Sequence, residues 1–100
     1  MIRGTTPQLD FSLPFEVSNI KKAWVTFSQY NREIFTLENE ALSMDGSQIS
    51  VKLTQEQTLS LSQNNSVEIQ LRILTHNDTA LASNIMKTDV GRLLKDGEIA

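Results

Sequence analysis

The segment Ser66–Ala82 constrains the fold more than any other part of the chain, because apolar and polar side chains alternate along it. Every second position from Val67 to Ile73 is apolar, and the positions between carry Glu, Gln and Arg. Side chains of a strand point alternately to its two faces, so the pattern predicts a β-strand with one buried face. His76–Thr79 adds turn-forming residues, which predicts a second strand returning antiparallel from Ala80.

The same alternation recurs at Leu9–Leu13, Ala23–Phe27 and Ile49–Leu53. Short alternating strands with turn signals between them predict an all-β antiparallel sandwich of about six to eight strands. Short helical turns are expected near Glu16–Lys22 and Gln55–Ser60. A helical turn between two late strands is typical of the crossover corner of immunoglobulin-like domains, so the predicted sandwich is immunoglobulin-like. The Cys–Trp–Cys signature of antibody domains is absent.

The length of 100 residues predicts a single domain, residues 1–100, with a core of its own. The inward positions of the alternating stretches predict which side chains form that core. The residues expected to be buried are Phe11, Phe27, Val51, Ile69 and Leu71.

Three local signals predict turns and caps. Asn31–Arg32 predicts a tight turn that makes Glu33–Leu37 a hairpin partner. Asp45–Gly46 is the strongest turn signal, because glycine adopts positive φ at little cost. Thr54, with Gln57 three residues later, predicts a helix N-cap with a capping box.

Two stretches carry weaker patterns. Glu38–Met44 is consistent with either a loop or a short edge strand. Leu81–Val90 is consistent with either an edge strand or a bulged strand, because its apolar residues do not keep to one face.

Composition excludes several classes of protein. The absence of cysteine rules out a disulfide scaffold, a zinc ribbon and a thiol nucleophile. A formal net charge of −3 argues against a general nucleic-acid binder, which would carry a basic stripe. The chain shows neither a signal-peptide pattern nor an apolar run long enough to span a bilayer. We therefore expect a soluble protein that is cytoplasmic when synthesised and does not bind membranes.

No catalytic constellation is visible. His76 is the only histidine, and we interpret it as a solvated turn residue rather than a metal ligand or base, since a catalytic base needs an oriented partner. Glu38, Glu40 and Asp45 form a small acidic cluster without an EF-hand pattern, so we interpret it as a solvated loop. We expect no catalytic residues, no metal or cofactor site, no small-molecule substrate and no enzymatic activity.

Candidate interface residues are Trp24, Tyr30 and Leu74. If Ala23 and the alternate residues after it face the core, Trp24 and Tyr30 face outward, and Leu74 is left exposed where its strand ends. Aromatic side chains on an open sheet face are typical of a partner surface. Two interpretations stay open: this face binds a partner, or it is covered by Glu38–Met44 or by the C-terminal segment Gly91–Ala100.

Four stretches of the chain form a recognisable set: Met1–Pro7, Leu53–Leu59, Val67–Arg72 and Ala82–Met86. Together they resemble a family of small prophage proteins of Gram-positive bacteria and their phages. The resemblance extends over nearly the whole chain and contains no catalytic motif. The chain is also distantly similar to the N-terminal β-sandwich of phage baseplate upper proteins.

This resemblance implies a virion component or a virion-assembly protein associated with a phage tail or baseplate, which acts through other phage structural proteins or through self-association. It identifies no functional residues. The alternative is a cytoplasmic prophage-encoded adaptor or host-factor-binding module that is not incorporated in the virion.

Overall fold

The computed structural model describes all 100 residues and contains eight strands in two antiparallel sheets. The predicted all-β sandwich is confirmed. The helical content is one short α-helix, α1, and two 3₁₀ turns, at Val17–Asn19 and Asn39–Ala41. The elements are β1 Gln8–Ser12, β2 Ile20–Gln29, β3 Arg32–Glu38, β4 Ser43–Asp45, β5 Gln48–Lys52, α1 Gln55–Leu59, β6 Ser66–Thr75, β7 Ala80–Ala82 and β8 Met86–Asp89.

The larger sheet is centred on β2 and β6, which are ten residues long each. They pair antiparallel, with Val25 opposite Leu71 and Phe27 opposite Ile69. The alternation predicted for both strands is present, since buried positions alternate with partly or fully exposed ones along each strand. β3 flanks β2, and β7 and β8 both pair with the far edge of β6.

The smaller sheet has the order β1-β5-β4 and packs its apolar face against the larger one. Burying these two faces against each other is the main favourable term in folding. All five residues predicted for the core are buried, and they belong to one cluster of fifteen buried apolar residues.

The strand order matches an immunoglobulin-like sandwich that lacks its first strand. In that fold one sheet runs A-B-E-D, and the other runs C-F-G with an optional C′ beside C. Here β1-β5-β4 takes the places of B-E-D, and β3-β2-β6, with β7 and β8 beyond, takes the places of C′-C-F-G. α1 connects β5 of one sheet to β6 of the other, as predicted for the crossover corner.

The segment before β1 does not fill the place of the missing strand. Its residue Ile2 forms a parallel bridge with Gly91, after the end of β8. The N–H of Arg3 donates to the oxygen of Gly91 at 3.1 Å, and the N–H of Gly91 donates to the oxygen of Met1 at 2.7 Å. The edge of β1 where strand A would pair is therefore unoccupied by this chain.

The first hairpin turn differs from the prediction by one residue. The two turn residues are Tyr30 and Asn31, with φ of 55° and 59°, and Arg32 already belongs to β3, opposite Gln29. A two-residue hairpin turn of this kind needs positive φ at both positions. Asn31 gave the turn signal, but the register of the paired strands places it second in the turn.

The other local signals are largely confirmed. Gly46 has φ of 58° in the turn after β4. Thr54 caps α1 in a capping box with Gln57. The ambiguous stretch Glu38–Met44 contains both a 3₁₀ turn and the start of the short edge strand β4. The helical turn expected over Glu16–Lys22 is shorter, because Ile20 and the two lysines after it belong to β2.

Candidate functional site: two surfaces of the sandwich

The outer face of the larger sheet carries an aromatic patch centred on Trp24. Trp24 lies between two buried residues of β2, so its side chain points away from the core. Arg72 is directly opposite on β6, with its guanidinium carbon 5.4 Å from the centre of the Trp24 ring. The Nζ of Lys22 lies 5.8 Å from the same centre. Cations at these distances are attracted by the negative face of an indole ring.

Leu74 belongs to the same surface. Together with Trp24, Lys22 and Arg72 it lines a shallow pocket of about 170 Å³, which β7 closes with Ala80. Trp24 and Leu74 are both half-buried. We call this surface the Trp24 patch and define it by Lys22, Trp24, Arg72, Leu74 and Ala80. The structure thus brings two of the three predicted interface residues together.

The indole N–H of Trp24 is buried and has no hydrogen-bond partner. Buried polar groups are nearly always paired, so an exception calls for an explanation. Glu38 is opposite Trp24 on β3, but it does not accept this hydrogen bond. The patch presents two cations, in a protein whose net charge is −3.

Neither segment proposed as a cover contributes a residue to the pocket of the Trp24 patch, although Glu38 lies directly opposite Trp24 on β3. The pocket is lined only by residues of β2, β6 and β7. The turn Asn39–Ala41 contacts the edge of β2 instead, where Asn39 Oδ1 accepts a hydrogen bond from the N–H of Ala23 at 2.7 Å. Partial shielding of the Trp24 ring comes from Lys22 and Arg72.

Tyr30 is separate from the Trp24 patch. It forms the tip of the β2–β3 hairpin, is 63% exposed and lines a different, polar pocket. In that pocket Arg3 donates hydrogen bonds to the backbone oxygens of Leu59 and Leu61 and pairs with Asp96 at 2.6 Å. These bonds tie the N-terminal segment to the end of α1, which is a structural role. The side chain of Tyr30 forms no hydrogen bond in this pocket.

The residues considered for chemistry are dispersed over the surface. His76 is exposed in the turn after β6, and its backbone N–H donates to the oxygen of Asn19 at 3.0 Å. Glu38, Glu40 and Asp45 are all exposed. No three His, Cys, Asp or Glu side chains lie together as a metal site would need.

A second surface was not predicted from the sequence. It is an apolar groove of about 610 Å³ between β1 of the smaller sheet and β7–β8 of the larger one. Phe11 and Leu13 form one wall, Leu71 and Ile73 the floor, and Leu81 and Met86 the other wall. Leu81 and Met86 are 41% and 40% exposed. The weak pattern in Leu81–Val90 indicated an edge strand, but it did not indicate what lies opposite.

Asp10 lies at the rim of this groove, on the solvent side of β1. Its Oδ1 accepts hydrogen bonds from Gln8 Nε2 at 3.0 Å and from Ser50 Oγ at 2.7 Å. The hydrogen bond from Gln8 lowers the pKa of Asp10 most, and the one from Ser50 adds to the effect. The ion pairs of the chain are Arg3–Asp96 and Lys21–Asp78, so none neutralises Asp10.

Comparisons with protein families, with curated proteins and with solved structures found no match to this chain. None of its helices has the length and apolar character needed to cross a bilayer.

Proposed function

We infer that this protein is a non-enzymatic structural or assembly protein of a phage or prophage, associated with a tail or baseplate, and that it acts by docking to other phage structural proteins. The phage context rests on the sequence resemblance. The docking mode rests on the Trp24 patch, which joins a large aromatic ring, an aliphatic side chain and two cations on an otherwise polar sheet face.

The observation that carries this proposal is the position of two cations, Lys22 and Arg72, within 6 Å of the centre of the Trp24 ring on the outer face of the larger sheet. Tryptophan and arginine are also the residues that most often dominate the binding energy of interfaces.

The charges around the ring indicate the chemistry of the partner. Lys22 and Arg72 are exposed, and both lie within 6 Å of the ring centre. A carboxylate placed between them can pair with both cations. The expected partner is therefore an acidic segment of another structural protein of the same particle.

Replacing Trp24 with Glu tests this proposal. The new carboxylate would lie between Lys22 and Arg72, so the fold tolerates the change while the binding site is occupied from within. The matched control is Leu94→Glu, since Leu94 is 93% exposed and lies outside the patch.

The wild type and both variants should be co-expressed with the products of the flanking genes, and the mass of the complexes measured by light scattering. We expect a complex with the wild type and with Leu94→Glu, and its loss with Trp24→Glu at an unchanged melting temperature. Flanking genes unrelated to phage structure, or a Trp24→Glu complex of full mass, would contradict the proposal. A strictly monomeric wild type would favour the adaptor alternative.

A further inference from the structure

The free edge of β1 carries a row of unpaired backbone groups. The N–H of Leu13 donates to the oxygen of Ser47, and the N–H of Leu53 donates to the oxygen of Pro7. Residues of an antiparallel strand bond to a given neighbour at every second position. The residues of β1 that bond to β5 are thus the apolar ones, and the residues whose N–H and C=O groups point away from β5 are Gln8, Asp10 and Ser12.

No other part of the chain uses these groups. The smaller sheet ends at β1, and none of the backbone hydrogen bonds outside the sheets involves Gln8, Asp10 or Ser12. The apolar groove lies directly beside this edge, between β1 and β7–β8. An unpaired strand edge next to an apolar groove is the arrangement that accepts an added strand, with backbone hydrogen bonds on one side and side-chain pockets on the other.

We propose that this groove is a strand-acceptor site, which binds an extended segment of a separate partner chain in the place of the missing first strand. The segment pairs with β1 through the backbone of Gln8, Asp10 and Ser12. Its alternate side chains enter the groove, where they contact Phe11, Ile73 and Leu81. This surface is distinct from the Trp24 patch, so the inference does not depend on the function proposed above.

The carboxylate of Asp10 determines which side chains suit the face of the bound segment that points away from the groove. Residues directly opposite each other on two paired strands share one face of the sheet. The side chain opposite Asp10 therefore lies beside a carboxylate that no cation of this chain neutralises. The complementary segment alternates apolar residues with polar ones and carries a lysine or arginine opposite Asp10.

A second copy of the chain fits this description poorly. Two β1 strands paired antiparallel about their middle residue place Asp10 opposite its own copy, and like charges directly opposite destabilise a strand pair. The exposed segment around Leu94 also fits poorly, because pairing Lys95 with Asp10 would turn the carboxylates of Asp96 and Glu98 into the apolar groove.

The test uses a synthetic peptide of about seven residues, the usual length of a strand. Its sequence is Val-Thr-Val-Lys-Val-Thr-Val, acetylated and amidated at its ends. It is titrated into the ¹⁵N-labelled protein while backbone amide resonances are recorded. One matched peptide has glutamate in place of lysine, and another has N-methylated backbone amides, which remove the donors while the side chains stay.

We expect the lysine peptide to shift resonances of β1 and β7–β8, and to leave those around Trp24 unchanged. The glutamate peptide should bind about tenfold more weakly, because an attraction opposite Asp10 is replaced by a repulsion. The N-methylated peptide should not bind. Asp10→Lys should reverse the preference between the lysine and glutamate peptides, and this reversal does not depend on the absolute affinity.

A groove variant and a control complete the design. Leu81→Lys should abolish binding, whereas Leu94→Lys should leave it intact. The amide spectrum of each variant verifies that it is folded. Failure of the lysine peptide to bind, shifts confined to the Trp24 patch, or equal binding by the N-methylated peptide would overturn the proposal. Concentration-dependent shifts of β1 in the protein alone would assign the groove to a second copy and overturn the assignment to a separate chain.

Discussion

The two edges of β6 show how differently one strand can be paired. On one side, β2 pairs with it from Ile20 to Ser28, with one irregularity near the start. On the other side, β7 covers only Arg72–Leu74 and β8 only Ser66–Ile69. Between them Ser83 fills the gap: its N–H donates to the oxygen of Leu71 at 2.8 Å, and its Oγ accepts from the N–H of Leu71 at 3.0 Å.

The two sides of β6 differ in burial: the side paired with β2 is buried, and the side paired with β7 and β8 is partly accessible to solvent. The inward residues of β2 and the middle of β6 are almost wholly buried. Leu81 and Met86 lie on the edge of β6 that β7 and β8 cover only in part, which we call the broken edge, and they are about two-fifths exposed. The broken edge leaves the sandwich open beside β1, where the apolar groove lies. The continuous pairing therefore holds the fold together, and the interrupted pairing leaves room for a partner.

The largest effect is expected from a comparison of two paired residues, one in the buried centre of the sheet and one on its partly covered edge. Ile69 of β6 is opposite Met86 of β8, and the two are 4% and 40% exposed. Ile69→Ala should lower the free energy of unfolding by about 2–5 kcal/mol, because it leaves a cavity in the core. Met86→Ala should lower it by less than about 1 kcal/mol, because the surroundings are open to water.

Urea denaturation of both variants measures this contrast. A midpoint for Ile69→Ala within error of the wild type would show that β6 is not central to stability. Equal losses for Ile69→Ala and Met86→Ala would show that the broken edge is as firmly held as the centre.

Two glutamines extend the comparison to polar groups. Gln29 of β2 is buried, and it both donates to the oxygen of Ser62 at 3.0 Å and accepts from the N–H of Ser62 at 2.7 Å. Gln70 of β6 is half-buried and donates one hydrogen bond, to the oxygen of Ser83 at 3.0 Å. Gln29→Ala should cost about 1–3 kcal/mol, since it leaves both backbone groups of Ser62 unpaired.

Gln70→Ala is the matched control and should cost about 0.5–1 kcal/mol, because Gln70 is only half-buried and its loss leaves a single backbone oxygen, that of Ser83, without its partner. Thermal and chemical denaturation of the two variants give the ranking. A larger loss for Gln70→Ala than for Gln29→Ala would contradict this ranking.

The central strands were predictable because their signal is local. Alternation in Val67–Ile73 determines which of its side chains face the core. The same pattern in Ala23–Phe27 placed Trp24 outward. The position of Arg72 beside Trp24 was not predictable, since it depends on the register between two strands far apart in sequence. Tyr30 shows the same limit, because the pairing of Gln29 with Arg32 determined which residues form the turn.

The groove was beyond prediction for a further reason. The sequence of Leu81–Val90 indicates a weak edge strand, but not which edge of the other sheet lies across from it. That arrangement follows from packing the two sheets together, with β1 opposite β7–β8. The missing first strand likewise emerges from the order of the strands in space rather than from any motif.

A smaller effect is expected at the gap itself. Ser83→Ala removes the side-chain oxygen that accepts from the N–H of Leu71, and should cost about 1 kcal/mol. Hydrogen exchange at the Leu71 amide should speed up, while exchange at the amides bonded between β2 and β6 stays slow. Asn84→Ala is the control, because no hydrogen bond is formed by the side chain of Asn84. Uniformly faster exchange throughout β6 would mean that the gap and the centre open together.

The smallest effect concerns Asp10, on the free edge that faces the gap across the groove. Hydrogen bonds from Gln8 and Ser50 lower the pKa of this carboxyl below its usual 3.8. A group with a lowered pKa in the folded state stabilises the protein above its unfolded pKa, and the contribution is lost as pH falls through the folded value. Asp10→Asn should therefore be slightly less stable than the wild type near about pH 7, and the difference should vanish at pH values well below 3.8.

Melting temperatures recorded from about pH 7 down to about pH 2 give the comparison. Asp45→Asn on β4, the opposite edge strand of the same sheet, serves as the control, because Asp45 forms none of these hydrogen bonds and no ion pair. The stability difference between the wild type and Asp10→Asn should change with pH in the acid range, and more than the difference for Asp45→Asn does. Parallel curves for the two variants would show that the hydrogen bonds on Asp10 do not stabilise the folded state.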